Sequence, residues 1–143
     1  MAAHSPLLLL GLLLLGLTSI QRAAAQQITI QSPAAGAVLH PGQRADIVLK
    51  LTSTTSSVQT VALTLGLRAQ ASGAALVLKT LYASDLHIDP RDYSYRFSLR
   101  LPPAKHLVAG AAPYELVLSQ YLLLGATQSP MLYSNSTLVT LQK

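Results

Sequence analysis

Cysteine and tryptophan are absent from this chain of 143 residues, and aspartate and glutamate together number only five. The absence of cysteine excludes a disulfide scaffold, a cysteine-based zinc finger and a thiol nucleophile. Half of the residues are hydrophobic, whereas disorder throughout a chain requires low hydrophobicity and high net charge. The length predicts a single small domain.

A long apolar run is present at the N-terminus. Residues 7–17 read LLLLGLLLLGL, and Ala23, Ala24 and Ala25 form an A-x-A site before Gln26. The run is shorter than the roughly 20 apolar residues of a membrane span and is typical of a secretory signal peptide. We therefore predict that residues 1–25 are a cleaved signal and that residues 26–143 form one secreted domain, free of the membrane.

Alternation of apolar and polar residues indicates strands in the rest of the chain. Residues 93–101 read YSYRFSLRL, which fits the two-residue period of a strand with one wet face. The pattern places Tyr93, Tyr95 and Phe97 on the core side. Similar reasoning places Val61 inside and Thr60 outside. Further strands are predicted over residues 27–31, 45–52, 58–68, 75–82, 114–124 and 135–142.

The strands and the turns between them predict the fold class. Residues 114–124 also allow a helix, because Pro113 suits a first helical position, but the β-leaning neighbours of this segment favour a strand. About seven antiparallel strands separated by Gly, Pro and Ser turns predict an all-β fold. We expect a single β-sandwich of the immunoglobulin or fibronectin type.

Candidate catalytic and metal-binding groups are sparse. Residues 85–92, DLHIDPRD, hold three of the five acids, but their spacing matches no calcium loop. We predict a solvated loop whose acids cap turns and pair with Arg91. His40, His87 and His106 share no motif, and no G-x-S-x-G sequence is present. We therefore predict that the chain is not an enzyme and has no metal site and no cofactor.

A basic strand face suggests where a partner binds. Arg96 and Arg100 lie on the wet side of residues 93–101, and Lys105 follows nearby. Nucleic-acid binding requires a denser basic patch with interleaved aromatic residues, so it is not predicted. Since arginine is enriched at binding hot spots, we predict that Arg91, Arg96 and Arg100 contact a partner.

Two further features concern carbohydrate. The six tyrosines leave open a sugar-binding platform if some of them are exposed side by side on one sheet. Separately, Asn135-Ser136-Thr137 is an N-glycosylation acceptor. Following a signal peptide, this triplet predicts that Asn135 faces solvent and carries a glycan.

Four stretches together resemble a known family. They are ITIQSPAAGAVLHPGQ (28–43), VQTVALTLGL (58–67), YRFSLRLP (95–102) and residues 111–141, where a strand ends in a Leu-Gly-Ala turn and a sequon opens the last strand. In this order they are similar to the Nis-type necrosis-inducing secreted proteins, which are small fungal effectors. Members tend to carry cysteines after the Gly-Leu strand, whereas residues 68–75 read RAQASGAA here.

The resemblance implies a virulence function. It implies a secreted effector in the host apoplast or host cell that binds a host protein, a plant receptor-like kinase. Such binding suppresses pattern-triggered immunity or provokes cell death. We expect a monomer that acts by binding. The alternative hypothesis is a secreted cell-wall or carbohydrate-binding β-sandwich module.

Overall fold

The structure, a computed structural model, describes residues 27–52, 57–107 and 113–142. The strands in these residues are β1 (Gln27–Ser32), β2 (Ala37–Leu39), β3 (Arg44–Thr52), β4 (Val58–Ala69), β5 (Ala75–Tyr82), β6 (Ser94–Arg100), β7 (Tyr114–Leu124) and β8 (Ser129–Leu141). They form a three-stranded sheet with the order β1-β3-β6, the small sheet, and a five-stranded sheet with the order β2-β8-β7-β4-β5, the large sheet.

The predicted all-β sandwich is confirmed, with two differences in detail. The described residues contain eight strands rather than about seven, because residues 37–39 form the short strand β2. This strand pairs in parallel with the end of β8, while the other pairs of strands are antiparallel. The segment with helical and strand alternatives, residues 114–124, is one continuous strand.

The core lies between the two sheets and is built from alternate residues of the longer strands, as the two-residue period of a strand requires. Its largest fully buried apolar side chains are Ile47 and Leu49 on β3, Leu63, Leu65 and Leu67 on β4, Leu116, Leu118 and Leu122 on β7, and Val139 on β8. The residues between them form the outer faces of the sandwich.

A bulge in β4 changes the face on which its first residues lie. The register with β7 shifts between Thr60 and Ala62, and Val61 is 43% exposed. Thr60 is half-buried, and its hydroxyl accepts a hydrogen bond of 2.9 Å from the Gln120 side chain. The prediction that Val61 lies inside and Thr60 outside is therefore wrong, because the extra residue of a bulge interrupts strict alternation.

The start of β6 also departs from strict alternation, but here the cause is a residue with a positive φ. Tyr95 and Phe97 pack against the core as predicted, but Tyr93 is 53% exposed and precedes the strand. Its φ of 53° lies in the left-handed region. The Tyr93 N–H donates to the Asp89 carbonyl, and the Tyr93 carbonyl accepts from the Leu51 N–H, both at 2.8 Å. These backbone bonds turn the chain ahead of β6 and leave Tyr93 partly exposed at the edge of the core.

A buried amide joins the two sheets. Gln120 is fully buried on β7, and its Oε1 accepts a hydrogen bond of 3.2 Å from the Ile28 N–H of β1. Its Nε2 donates to Thr60 on β4. A buried amide is costly unless it is hydrogen-bonded, so these bonds fix the position of β1 over the large sheet.

The predicted signal peptide, residues 1–25, lies outside the described residues. Two short 3-10 helices, Ala83–Asp85 and Ala104–His106, connect strands. Across residues 27–52, 57–107 and 113–142, no helix has the length and apolar character needed to cross a membrane.

Candidate functional site: the outer face of the large sheet

The outer face of the large sheet consists of ordered rows of side chains. Directly paired residues of neighbouring strands point to the same side of a sheet. One row, which we call the tyrosine row, contains Leu132 of β8, Tyr121 of β7, Ala62 of β4 and Tyr82 of β5. The adjacent row, which we call the hydroxyl row, contains Ser134, Ser119, Thr64 and Thr80 of the same strands.

Two tyrosines stand exposed in the tyrosine row. Tyr82 is 62% exposed and Tyr121 is 48% exposed. Ala62 lies between them on β4, so the two tyrosines are two strands apart, about 10 Å between backbones. The residue between them in the row, Ala62, has only a small side chain. Leu132, which is also exposed, extends the row on the β8 side.

A shallow depression lies beside the hydroxyl row, above Gly66. It has a volume of about 200 Å³, and its lining includes Thr64, Ser119, Val77 and Val117. A Cβ atom at Gly66 would lie 3.1 Å from the Leu76 carbonyl oxygen. The register of β5 shifts at this point, which brings its backbone close. Glycine therefore allows both the close approach of β5 and the depression.

The charges on this face balance each other. Arg68 of β4 and Glu115 of β7 are paired across the strands, and the Arg68 Nε donates to Glu115 at 3.0 Å. The tyrosine and hydroxyl rows contain no charged residue. Lys79 of β5 is directed elsewhere, since its ammonium lies 5.0 Å from the centre of the Phe97 ring. The outer face of the large sheet is thus neutral, with hydroxyl, aromatic and aliphatic groups.

The predicted partner residues lie elsewhere and do not form one cluster. Arg96 and Arg100 share the outer face of the small sheet, but Arg96 is ion-paired with Asp92. Arg91 lies outside the strand, in the loop that leads to β6. Sequence reasoning missed Arg44, which the register of β3 and β6 places directly opposite Arg100. The order of residues contains no signal for this pairing, because register is set by the fold.

Acidic side chains of residues 85–92 accept hydrogen bonds from backbone groups of the same loop and its flanks. Asp85 accepts a hydrogen bond from the Tyr82 N–H at 3.0 Å, and Asp89 accepts one from the Arg91 N–H at 2.8 Å. The predicted capping of turns is therefore confirmed. The predicted pairing of a side chain with Arg91 is wrong, since the ion pair of this loop joins Asp92 to Arg96.

The environment of Asp92 favours its charged form. The Ser94 hydroxyl donates to Asp92 at 2.7 Å, and the Arg96 guanidinium also donates to it. These two hydrogen bonds, in that order of importance, lower the pKa of Asp92 from 3.8 to about 2. The carboxylate in turn holds the start of β6, because the Ser94 N–H donates to it as well.

The predicted glycosylation residue lies within a strand. Asn135 is half-buried in β8 and pairs with Leu118, whose side chain is in the core. Asn135 therefore faces the small-sheet side of the large sheet rather than standing fully in solvent. In this part of β8 the strand is an edge, since β2 pairs only with residues 139–141.

No family model matches the chain, and no curated protein matches it. Among solved structures, it is similar to superoxide reductase (neelaredoxin) from Ignicoccus hospitalis, with 10% identity and a TM-score of 0.53 over 87% of each chain. A substituted form of that protein gives 10% identity and a TM-score of 0.54 over 87% of this chain and 86% of the other. At this identity the likeness shows a shared fold alone.

These neighbours overturn one prediction. We expected that the chain is not an enzyme, and this is contradicted because proteins with the same fold are enzymes, the superoxide reductases. The scarcity of catalytic motifs was therefore an insufficient basis for excluding catalysis, since the same fold carries it in other proteins. The reductase activity itself belongs to the neighbours and is not transferred to this chain.

A reductase also needs a source of electrons, which proteins commonly hold as a metal or organic cofactor. In the part of the chain that the structure describes, no three His, Cys, Asp or Glu side chains come together as a possible metal site. The His40 ring contacts the Gln142 carbonyl and the His87 ring contacts the Asp85 carbonyl, while His106 lies in a short helix. These residues do not supply a ligand set for a redox metal.

Proposed function

We propose that the chain is a binding module for a neutral, extended polysaccharide, which it holds on the outer face of the large sheet. The observation that carries this proposal is the exposed pair Tyr82 and Tyr121, two strands apart in one row. Because residues 1–25 are predicted to be a signal peptide, we expect the module to act outside the cell.

The chemistry of the face fits a sugar chain. A pyranose ring has an apolar face of C–H groups, which packs on an aromatic ring, and a rim of hydroxyl groups. Tyr82 and Tyr121 offer two aromatic rings on strands whose backbones are about 10 Å apart. The hydroxyl row beside them offers groups that both donate and accept hydrogen bonds. One side of a sugar chain therefore meets rings while its edge meets hydroxyl groups.

The shape and charge of the face support the same conclusion. An open sheet surface with a shallow depression accommodates a polymer that enters and leaves the site at both ends. A neutral polymer has no charge to pair, and the two rows contain no charged residue. A β-glucan or chitin chain has these properties.

The experiment measures depletion of the purified chain from solution by insoluble β-glucan and by chitin. We expect retention of the native chain and a loss of affinity of about thirtyfold for each of Tyr82→Ala and Tyr121→Ala, as for a hot-spot tyrosine. Tyr93→Ala is the matched control, since Tyr93 is equally exposed but lies outside the row. The proposal fails if neither polysaccharide retains the chain, or if the control loses affinity as the other two variants do.

A receptor-like kinase, the partner that the family resemblance implies, is a second proposal. Leu132 of β8 and Tyr121 of β7 are directly paired on this face and both are exposed, and apolar side chains exposed side by side favour a protein contact. Interferometry with immobilised plant receptor-like kinase domains tests this. We expect saturable binding that Leu132→Ser weakens, whereas binding that this substitution leaves unchanged places the contact elsewhere.

A further inference from the structure

Arg44 and Arg100 form a pair of like charges on the outer face of the small sheet. They are directly opposite each other on β3 and β6, and both side chains are exposed. At such positions the Cβ atoms are about 5 Å apart, and like charges destabilise the pair of strands. A negative group placed between the two guanidinium groups would remove this repulsion.

No carboxylate of the described residues takes that place. The ion pairs found within residues 27–52, 57–107 and 113–142 are Arg68 with Glu115 and Arg96 with Asp92. Asp46 lies two residues beyond Arg44 on the same face of β3 but forms no ion pair with either arginine in these ranges. The charge of the arginine pair is therefore available to an external anion.

The surroundings of Arg100 hold its side chain in position. Its Nε donates to the Gly42 carbonyl at 3.1 Å. Gly42 is fixed in turn, since its N–H donates to the Pro102 carbonyl at 3.0 Å, and the Leu101 N–H donates to the Gln43 carbonyl at 2.8 Å. Within residues 27–52, 57–107 and 113–142 its terminal nitrogens have no hydrogen-bond partner, so they can meet a ligand. A guanidinium that is already oriented loses less entropy when it binds.

A further exposed cation, Lys105, follows Arg100 along the chain. Lys105 lies in the short helix Ala104–His106, which begins two residues after Pro102, and it is exposed. The acids of the neighbouring loop lie at the opposite end of β6, where Asp92 precedes the strand and Arg100 ends it. The small sheet thus has an acidic loop at one end and the arginine pair at the other.

We propose that Arg44 and Arg100 bind an oxyanion, a carboxylate or sulfate group of an acidic polysaccharide, between their guanidinium groups. Arginine forms paired, charge-assisted hydrogen bonds with such groups. The oxyanion site stands on the arginine pair alone. The choice of a polysaccharide rests on the carbohydrate-binding function proposed above and extends it from a neutral polymer on the large sheet to an acidic one on the small sheet. The anion comes from either a uronate or a sulfate ester, and the test below distinguishes the two by using one polymer of each kind.

The test measures binding of the full chain to polygalacturonate, to dextran sulfate and to neutral dextran. We expect binding to at least one acidic polymer that weakens as salt is added, because exposed charges are screened. Any binding to dextran is expected to be independent of salt and of both arginines. Replacing both arginines, Arg44→Ser with Arg100→Ser, is expected to weaken binding by about tenfold or more. Arg96→Ser is the matched control and is expected to change it by less than about twofold.

Two results overturn the proposal: unchanged binding in the double arginine variant, or an equal loss in Arg96→Ser. Thermal melting of each variant checks folding, and Arg44→Ser alone is expected to keep or raise the melting temperature because it removes the repulsion. The Tyr82→Ala and Tyr121→Ala variants separate this site from the proposed function. If glucan binding is absent while the arginine-dependent binding persists, the proposed function fails and the oxyanion site stands.

Discussion

The two outer faces of the sandwich present different chemistry on one scaffold. The outer face of the large sheet has rows of tyrosine, leucine, serine and threonine with one balanced ion pair. The outer face of the small sheet has Arg44, Arg96 and Arg100, together with Asp46 and Lys50. Inward residues of both sheets are mostly apolar because they fill a common core, with the hydrogen-bonded Gln120 as an exception, whereas outward residues are free to differ. The contrast teaches that one scaffold presents two chemically distinct surfaces.

The largest effect is expected from a substitution in the core, because both outer faces depend on it. Leu118 is buried in β7, below the hydroxyl row. We expect Leu118→Ala to lower the free energy of unfolding by about 2–5 kcal/mol, because truncation of a buried leucine leaves a cavity. Urea denaturation measures this loss. If the two faces belong to one cooperative unit, one unfolding transition removes both; separate transitions would contradict that picture.

A smaller loss of stability is expected from truncating Phe97, which lies between the small sheet and the large sheet. Phe97 of β6 is half-buried, contacts the Tyr95 ring at a centroid distance of 5.3 Å, and lies under the Lys79 ammonium. Because burial is partial, we expect Phe97→Ala to lower the free energy of unfolding by about 2 kcal/mol, below the 3–5 kcal/mol typical of a buried aromatic residue. Chemical denaturation of Phe97→Leu, which retains apolar volume, is the control. No loss in Phe97→Ala would show that the inward face of β6 is wrongly assigned.

A charge introduced on the neutral outer face of the large sheet is expected to weaken glucan binding. Ser119 lies in the hydroxyl row, and Ser98 occupies the outer face of the small sheet. We expect Ser119→Glu to weaken glucan binding by about tenfold, because an unpaired carboxylate must lose water when the sugar binds. Ser98→Glu is the matched control, and we expect it to leave glucan affinity unchanged. Equal effects in depletion assays would show that the sugar does not contact the hydroxyl row.

The smallest expected effect is a loss of stability in acid, and it arises from Asp92, which precedes β6 of the small sheet. The pKa of Asp92 is lowered to about 2 from 3.8 in the folded chain. A group with a lowered folded pKa stabilises the fold above its unfolded pKa and loses that contribution as pH falls through the folded value. We therefore expect a loss of stability between about pH 4 and pH 2. Melting temperatures of Asp92→Asn should change less across this window; an equal decline would assign the effect to another carboxyl group.

Sequence patterns predicted the fold better than the candidate site. The alternation in residues 45–52 correctly predicted that Ile47 and Leu49 lie inside, because a strand has a fixed side-chain period. Alternation failed for Val61 and Tyr93, where a bulge and a left-handed residue interrupt the period.

The rows of the candidate site depend on strand order and register, which the alternation of residues does not reveal. Tyr82 and Tyr121 are 39 positions apart in the sequence, and only the pairing of β5 and β7 with β4 brings them into one row. Arg44 and Arg100 are likewise joined by register alone. The alternative hypothesis of exposed tyrosines on one sheet does not name the tyrosines, because their identity follows from the strand order.

The most direct test of the difference between the faces is the salt dependence of glucan binding. We would titrate the chain with a soluble β-glucan oligomer by calorimetry at about 0.05 M and about 0.5 M salt, where the screening of exposed charges differs strongly. Binding on a neutral face predicts the same dissociation constant at both salt concentrations, and its loss in Tyr82→Ala but not in Arg100→Ser. Glucan binding that weakens sharply with salt, or that depends on Arg100, would contradict the assignment of the sugar to the large sheet.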